Sequence, residues 1–369
     1  MAARTASPVQ GVRGRLVLLL LLMAWSELPL ASADERSDQM VIAMRPGDTE
    51  LTRPPALEMK GTGGWLELNR FATSGRYRLI DGDDSQRDSV FQYQLSLKAR
   101  LRLDRQGRVG LAAGIFTGDS FRGGWNRFAR PESGREADIF LKHLYLDARL
   151  LNKLEVQYGG LEIAHGEATE VTSYDFDGYI TGQRIRSAGW KALDEISVTY
   201  AHLGDLDDPS VFNRFRRLAS PNYFQLLLDK KLAKPGGLSF EYTDVSGEQT
   251  LRQAVRFDLP ARSGLDTVQL ELYQRWSPEA GYGFGLYTQK SVHAAITLGV
   301  GYARIDRTGL NSDRFPMGRR LYATALMALH RVLGVSVFFS RQLDAAESSA
   351  NRTRLDVGLS YDLRQIVAK

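Results

Sequence analysis

The sequence contains no cysteine. That excludes a disulfide framework, a thiolate nucleophile and any cysteine-held iron–sulfur or zinc centre. Histidine is scarce, and His143, His165, His202, His293 and His330 include no pair at metal-ligand spacing. No Gly-x-Ser-x-Gly elbow and no phosphate-binding loop occurs, so the usual signatures of nucleophilic and nucleotide chemistry are missing. No enzymatic reading survives these absences. Long apolar runs are missing too. Outside one short N-terminal run, nothing approaches the roughly 18 residues that a spanning helix needs. The charge excess is small, a formal +5 over 369 residues, which gives no basic footprint for nucleic acid.

The one apolar run, residues 16–25, follows Arg13 and Arg15 and precedes Ala31-Ser32-Ala33. Basic start, short apolar centre and small-residue site are the three parts of a secretory signal peptide. Cleavage after Ala33 makes residues 1–33 the signal, and an uncleaved anchor is the alternative. The segment carries Arg4, Arg13, Arg15 and Glu27, so its loss lowers the net charge from +5 to +3. Residues 34–63 are polar and interrupted by Pro46, Pro54 and Pro55, which reads as a periplasmic leader.

Alternation dominates the rest of the chain. From 91 to 104 the odd positions are Phe91, Tyr93, Leu95, Leu97, Ala99, Leu101 and Leu103, and the even ones are all polar or charged. Period two without exception marks a strand with one apolar and one polar face. At about 3.3 Å per residue, this stretch is far longer than an ordinary soluble strand. Tilted, it clears the roughly 25 Å apolar band of a membrane barrel. Similar runs fall at 65–79, 108–116, 138–150, 154–160, 178–187, 195–203, 222–232, 237–244, 250–258, 266–275, 282–289, 293–305, 319–329, 334–342 and 352–363. A change of face in the first run places a bulge near residues 73–75. The fold predicted is all-β, a transmembrane antiparallel barrel over 64–363 of about sixteen strands, within a range of 14–18, followed by an extension at 364–369. Connections after odd-numbered strands tend to be the longer ones, with the short 245–249 and 276–280 links as exceptions. Aromatics such as Tyr77, Phe91, Phe116, Tyr158, Tyr223, Tyr273, Trp276, Tyr282 and Tyr361 sit near strand ends, as in interfacial girdles, although any single one suits a core position equally. An exported, cysteine-free chain of this kind points to the bacterial outer membrane, and its lipid is the first partner implied.

If the barrel closes, the last strand pairs with the first and the first with the second. Arg76, Arg78, Lys98, Arg100, Arg102, Arg352 and Arg354 then share one lumenal wall with Asp356. A wall of cations in a low-dielectric surround favours anions, whereas pairing of each arginine with a lumenal carboxylate would leave a merely solvated lining. The third long connection carries Glu162, Glu167, Glu170, Asp175 and Asp177. A calcium site among these carboxylates lacks the EF-hand spacing of ligands, and no cofactor or metal is implied.

Three resemblances bear on the reading. The acidic third connection facing a basic wall resembles the general porins, whose third loop folds into the lumen as a constriction. That family's habit implies a homotrimer. Residues 159–162, 175–179 and 182–186, with Gly159-Gly160-Leu161-Glu162, Asp175-Phe176-Asp177-Gly178-Tyr179 and Gly182-Gln183-Arg184-Ile185-Arg186, look like the alginate-export type of barrel, which implies an arginine-rich conduit for an acidic polysaccharide. Gly358, Tyr361 and Leu363 in the last strand resemble the C-terminal sorting signal of outer-membrane proteins, which implies handling by the barrel-assembly machinery. That pattern ends on an aromatic residue at the terminus, whereas here Leu363 holds the place and residues 364–369 come after it, so the pairing of the closing strand is open. The sequence therefore reads as a porin-like channel for hydrophilic, anionic solutes. A dedicated exporter of an acidic polysaccharide and a non-conducting structural or adhesive barrel are the alternatives.

Overall fold

The computed structural model describes residues 57–58, 64–81, 87–117, 139–151, 153–166, 168–169, 179–189, 193–204, 210–232, 236–276, 279–306, 317–330, 332–344 and 353–364. The predicted signal peptide and most of the leader lie outside these residues. Sixteen long strands run in order: β1 (Leu66–Asp81), β2 (Arg87–Arg102), β3 (Val109–Thr117), β4 (Ile139–Leu151), β5 (Leu154–Leu161), β6 (Tyr179–Ala188), β7 (Glu195–Gly204), β8 (Tyr223–Lys231), β9 (Gly236–Val245), β10 (Glu248–Asp258), β11 (Thr267–Arg275), β12 (Gly281–His293), β13 (Ile296–Ile305), β14 (Gly318–His330), β15 (Leu333–Gln342) and β16 (Thr353–Asp362). Each pairs antiparallel with its neighbour in sequence. β16 then pairs with β1 over ten residues, from Thr353 opposite Asp81 to Asp362 opposite Ala72, and the sheet closes. A two-residue strand, Leu57–Glu58, adds to β1 at Leu68 and Glu67. A short helix, α1 (Val211–Phe215), interrupts the connection after β7. Among the described residues no helix is long and apolar enough to cross a membrane.

The period-two pattern is what the barrel wall uses. On β2, Phe91, Tyr93, Leu95 and Leu101 are exposed on the outside, while Gln94, Ser96 and Arg100 are buried on the inside. The same inversion holds on β16, where Val357 and Leu359 are exposed and Arg354, Asp356 and Ser360 are buried. A soluble protein would bury the first set. Here the apolar face is the outer one, as a wall that faces hydrocarbon requires.

Connections follow the predicted asymmetry at five of the eight odd-numbered strands, whereas 82–86 after β1, 246–247 after β9 and 276–280 after β11 are shorter than 259–266 after β10. Residues 118–138, 162–178, 205–222, 306–317 and 343–352 come after odd-numbered strands, against 152–153, 232–235, 294–295 and 331–332 after even ones. The two-residue link 246–247 after β9 breaks the rule with a tight turn in which Ser246 and Gly247 both take positive φ, 53° and 88°. In the link between β2 and β3, Asp104 Oδ1 accepts the Val109 N–H at 2.8 Å. That bond holds the Asp104 carboxyl below the usual carboxylate range.

Three details of the sequence reading are corrected. The bulge in β1 lies between Leu68 and Arg70, not at 73–75. The freed carbonyl of Asn69 accepts from Arg364 Nη1 at 3.2 Å, so the bulge seats the start of the C-terminal extension. Residues 290–292 are strand, not connection, because the β12–β13 hairpin turns only at 294–295. Phe116, Tyr223 and Tyr273 are buried in the lumenal rows and belong to no girdle, whereas Tyr77, Phe91, Tyr158 and Tyr282 face outward.

Leu97 tests the inversion. It faces out between Phe71 of β1 and Ile115 of β3. Leu97→Arg should place a charge in hydrocarbon and lower barrel stability by about 2–4 kcal/mol, read by urea unfolding in lipid vesicles. An unchanged unfolding midpoint would mean that this face meets water.

Candidate functional site

The lumenal wall begins at the seam where the chain closes. β16 places Asp356 opposite Arg78 of β1. Arg78 Nε lies 3.1 Å from Asp356 Oδ1, Arg354 Nη2 2.5 Å from Oδ2, and Arg76 Nη1 3.8 Å from Oδ2. One buried carboxylate thus gathers three guanidiniums. The guanidinium of Arg354 also lies 5.4 Å from the ring centroid of Phe338.

The second group sits on β2 and its neighbours. Arg100 reaches across β3 to Asp147 of β4, with Nε 2.9 Å from Oδ1 and Nη2 2.6 Å from Oδ2. It can cross because β3 offers Gly110 there, and an added Cβ would sit 2.5 Å from the Arg100 Nε. Glu67 takes Arg100 Nη1 at 3.3 Å and Arg102 Nη2 at 2.5 Å. The wall predicted from sequence is assembled, with its arginines paired: Asp356, Asp147 and Glu67 partner Arg76, Arg78, Arg100, Arg102 and Arg354. Arg352 lies outside the described residues.

The third group forms where the chain leaves the wall after β5. Glu162 turns toward Lys98 of β2, with Oε1 3.1 Å from Nζ and 3.9 Å from His143 Nδ1. The backbone beyond it is held against inward-facing side chains in turn. Arg184 Nη2 donates to the Glu162 carbonyl at 2.5 Å, Gln225 Nε2 to that of Ala164 at 2.8 Å, and the Ala168 N–H donates to Ser239 Oγ at 2.9 Å. Gly166 lies against Ser239, whose side chain leaves no room there for a Cβ. The start of the third long connection therefore folds inward, along β6, β8 and β9. Glu167, Glu170, Asp175 and Asp177 lie outside the described residues.

Lys142 joins this group through a bulge. Gly114 pairs with His143 and Ile115 with Leu141, which leaves Lys142 as the extra residue. Lys142 and His143 are both buried. Lys142 Nζ lies 5.1 Å and Lys98 Nζ 5.8 Å from the ring centroid of Phe116, which the His143 ring meets edge-on at 5.7 Å. The Arg184 guanidinium is held by Thr199 Oγ1 at 2.9 Å, Gln157 Oε1 at 3.3 Å and the Glu162 carbonyl, all neutral oxygens. Among the described residues, Lys98 thus pairs with the Glu162 carboxylate, Lys142 shares the Phe116 ring with Lys98, and Arg184 binds the Glu162 carbonyl.

Sequence reasoning misses Lys142, because only pairing reveals the bulge, and it misses the role of α1. Where β5 leaves the ladder, Arg214 of α1 donates to the carbonyls of Lys142 and Ile180 and, at 3.2 Å, to Thr181 Oγ1. Val211 covers Gly160, which has no room for a Cβ. Gly160 shares its row with outward-facing Leu144 and Thr181, so α1 braces the wall from outside. Gly182 is equally constrained, since a Cβ there would meet the Tyr200 carbonyl. Glycines that suggest an alginate-export likeness thus have a packing role in this wall. In the closing strand, Tyr361 falls opposite Leu333 and Gly358 opposite Ser336, and the Leu363 N–H bonds the Phe71 carbonyl at 2.7 Å, so closure is regular despite the added tail.

Comparison with known proteins adds a fold and no sequence family. No family model matches the chain, and no curated protein does. Solved structures do. A multiply substituted porin of Rh. blastica matches with a TM-score of 0.54 at 15% identity, over 80% of this chain and 99% of that one. OmpF of Salmonella typhi, in a complex with daunomycin, matches with a TM-score of 0.54 at 12% identity, over 80% and 98%. A chain described under the asymmetric conductivity of engineered proteins matches at 0.52 and 15%, over 80% and 99%. This chain has the sixteen-stranded porin fold.

Asp356→Ala tests the seam cluster. It strands three guanidiniums in one buried place and should cost about 3–5 kcal/mol of stability in urea unfolding. Adding Arg78→Ala should recover part of that loss, because the two sites share one network. Strict additivity of the two changes would show that they do not interact.

Proposed function

We propose that this protein is an outer-membrane channel that passes hydrophilic solutes and prefers anions. The observation that carries the reading is the run of cations on the inner wall, Arg76, Arg78, Lys98, Lys142, Arg184 and Arg354, beside the segment that folds into the lumen at Glu162. Low-dielectric walls focus the field of such a cluster along the solute path, so anions are concentrated and cations repelled. The seam adds three guanidiniums on the one carboxylate of Asp356, while Asp147 and Glu67 take up Arg100 and Arg102.

Export by a signal peptide ending at Ala33, insertion by the barrel-assembly machinery with Gly358, Tyr361 and Leu363 as sorting signal, and assembly as a homotrimer belong to the same reading. The likeness in fold to porins supports them. An inward segment along β6, β8 and β9 narrows the lumen, which favours small solutes over a polymeric acidic polysaccharide.

The test is electrical. The purified protein should conduct in a planar bilayer, with a reversal potential under a KCl gradient that shows chloride preference. The double variant Lys98→Gln, Lys142→Gln should shift that potential toward potassium while keeping the heat-modifiable gel mobility of a folded barrel. Absence of conductance would favour a structural or adhesive barrel, and an unshifted potential would remove these lysines from the solute path. For export, Edman sequencing of the outer-membrane fraction should begin at Asp34. A start at Met1 would contradict the cleavage site.

A further inference from the structure

The outer wall carries a row of side chains that neither closure nor conduction uses. Arg319 of β14 pairs with Arg304 of β13, Arg304 with Phe284 of β12, Phe284 with Leu272 of β11, Leu272 with Gln253 of β10, and Gln253 with Phe240 of β9. The row moves steadily down the barrel. Arg319 and Arg304 are each second from the long-connection end of their strands, Phe284 and Leu272 fourth, and Gln253 and Phe240 sixth. The span from Arg304 to Phe240 is four interstrand steps of about 4.8 Å, roughly 19 Å.

Along this row the surface is hollow. A groove of about 480 Å³, lined by Phe240, Leu270, Leu272 and Phe284 among others, adjoins one of about 380 Å³ that reaches Arg304 and Asp306. Gln253, Leu272 and Phe284 line both, so the two form one continuous groove along the wall. Phe240, although it faces outward, is only 6% exposed within it. Gln253 is the one polar side chain in the row below Arg304.

The upper end is cationic against its local interest. Arg304 and Arg319 stand directly opposite each other, an arrangement that costs stability between neighbouring strands. Asp306 takes Arg304 Nε at 3.1 Å and Asp344 takes Arg319 Nε at 3.1 Å. Arg341 of β15, also exposed and second from the same end, meets no carboxylate among the described residues. Three guanidiniums with two carboxylates thus stand above an apolar band made by Tyr302, Leu321 and Phe339.

We propose that this groove binds an anionic, phosphate-bearing membrane lipid, with the phosphate held by Arg304, Arg319 and Arg341 and one acyl chain laid down the row to Phe240. The charge matches a phosphate, the lining matches hydrocarbon, and the descent from strand end to mid-barrel is the path of an acyl chain from interface to bilayer centre. The assignment rests on the barrel standing in a membrane and is independent of what the lumen conducts, so conductance in a planar bilayer separates its failure from that of the channel reading.

Native mass spectrometry of the purified barrel in nonionic detergent, titrated separately with phosphatidylglycerol and phosphatidylcholine, tests it. The wild type should retain one phosphatidylglycerol in preference to phosphatidylcholine. Each arginine removed should weaken retention about fivefold, so Arg304→Gln with Arg319→Gln should lose about 25-fold. Leu272→Trp, which fills the groove and leaves every charge in place, should abolish it, and it serves as the test if the double variant does not fold. Equal retention of the two lipids, or retention untouched by Leu272→Trp, would overturn the proposal. So would an oligomer that dissociates in Leu272→Trp, which would make a second copy of this chain the occupant.

Discussion

A backbone that crosses hydrocarbon can leave no N–H or C=O without a partner, and the closure of this barrel answers to that demand. An open sheet fails at its two edges, so β16 must find β1, and it does so in register over its whole length. Side chains reinforce that meeting. Asp356 of the last strand binds Arg78 of the first, and the same carboxylate holds Arg76 and Arg354. Closure and the charge of the lumen are therefore coupled: the ions that line the interior also join the two ends of the chain.

The same demand explains the irregular places. When the chain turns inward after β5, the carbonyls of Lys142 and Ile180 lie where the ladder has ended, and Arg214 takes both. When β1 bulges at Asn69, Arg364 takes the freed carbonyl. In each case a long cationic side chain replaces a missing strand contact. Glycine supplies the complementary device. Gly110 lets Arg100 cross a strand to Asp147, and Gly160 lets Val211 of α1 lie on the wall. The Lys142 bulge then sets a second lysine against the Phe116 ring that Lys98 also meets.

Much of this is legible in the sequence, because period two survives along most of the wall and fails only at local bulges. The uninterrupted alternation of 91–104 announces both faces of β2, and it carries Lys98, Arg100 and Arg102 to the inside with no knowledge of any partner. Asp356 falls likewise on the wall of Arg76 and Arg78 once closure is assumed. What stays hidden depends on pairing. No local pattern distinguishes Lys142 as a bulge residue, since its neighbours Leu141 and His143 suit a regular strand equally well. Asp147 as the partner of Arg100 requires the register across β3, and Arg214 as a brace requires knowing where β5 ends. Phe116, Tyr223 and Tyr273 are misplaced by sequence for the opposite reason: an aromatic near a strand end satisfies a girdle and a lumenal packing site alike, and only strand parity decides.

The first and last strands close this barrel in one register, and that closure is open to a direct test. Because the chain has no cysteine of its own, a pair placed across the seam reports without ambiguity. Tyr77→Cys with Val357→Cys occupies directly opposed positions on the outer face of β1 and β16. The disulfide should form on oxidation of the folded barrel in lipid vesicles, and a reductant-sensitive chain looped between positions 77 and 357 should then appear as a shifted band on a denaturing gel, while Tyr93→Cys with Val357→Cys, one strand out of reach, should stay reduced. A disulfide in the second pair and none in the first would contradict the closure described here.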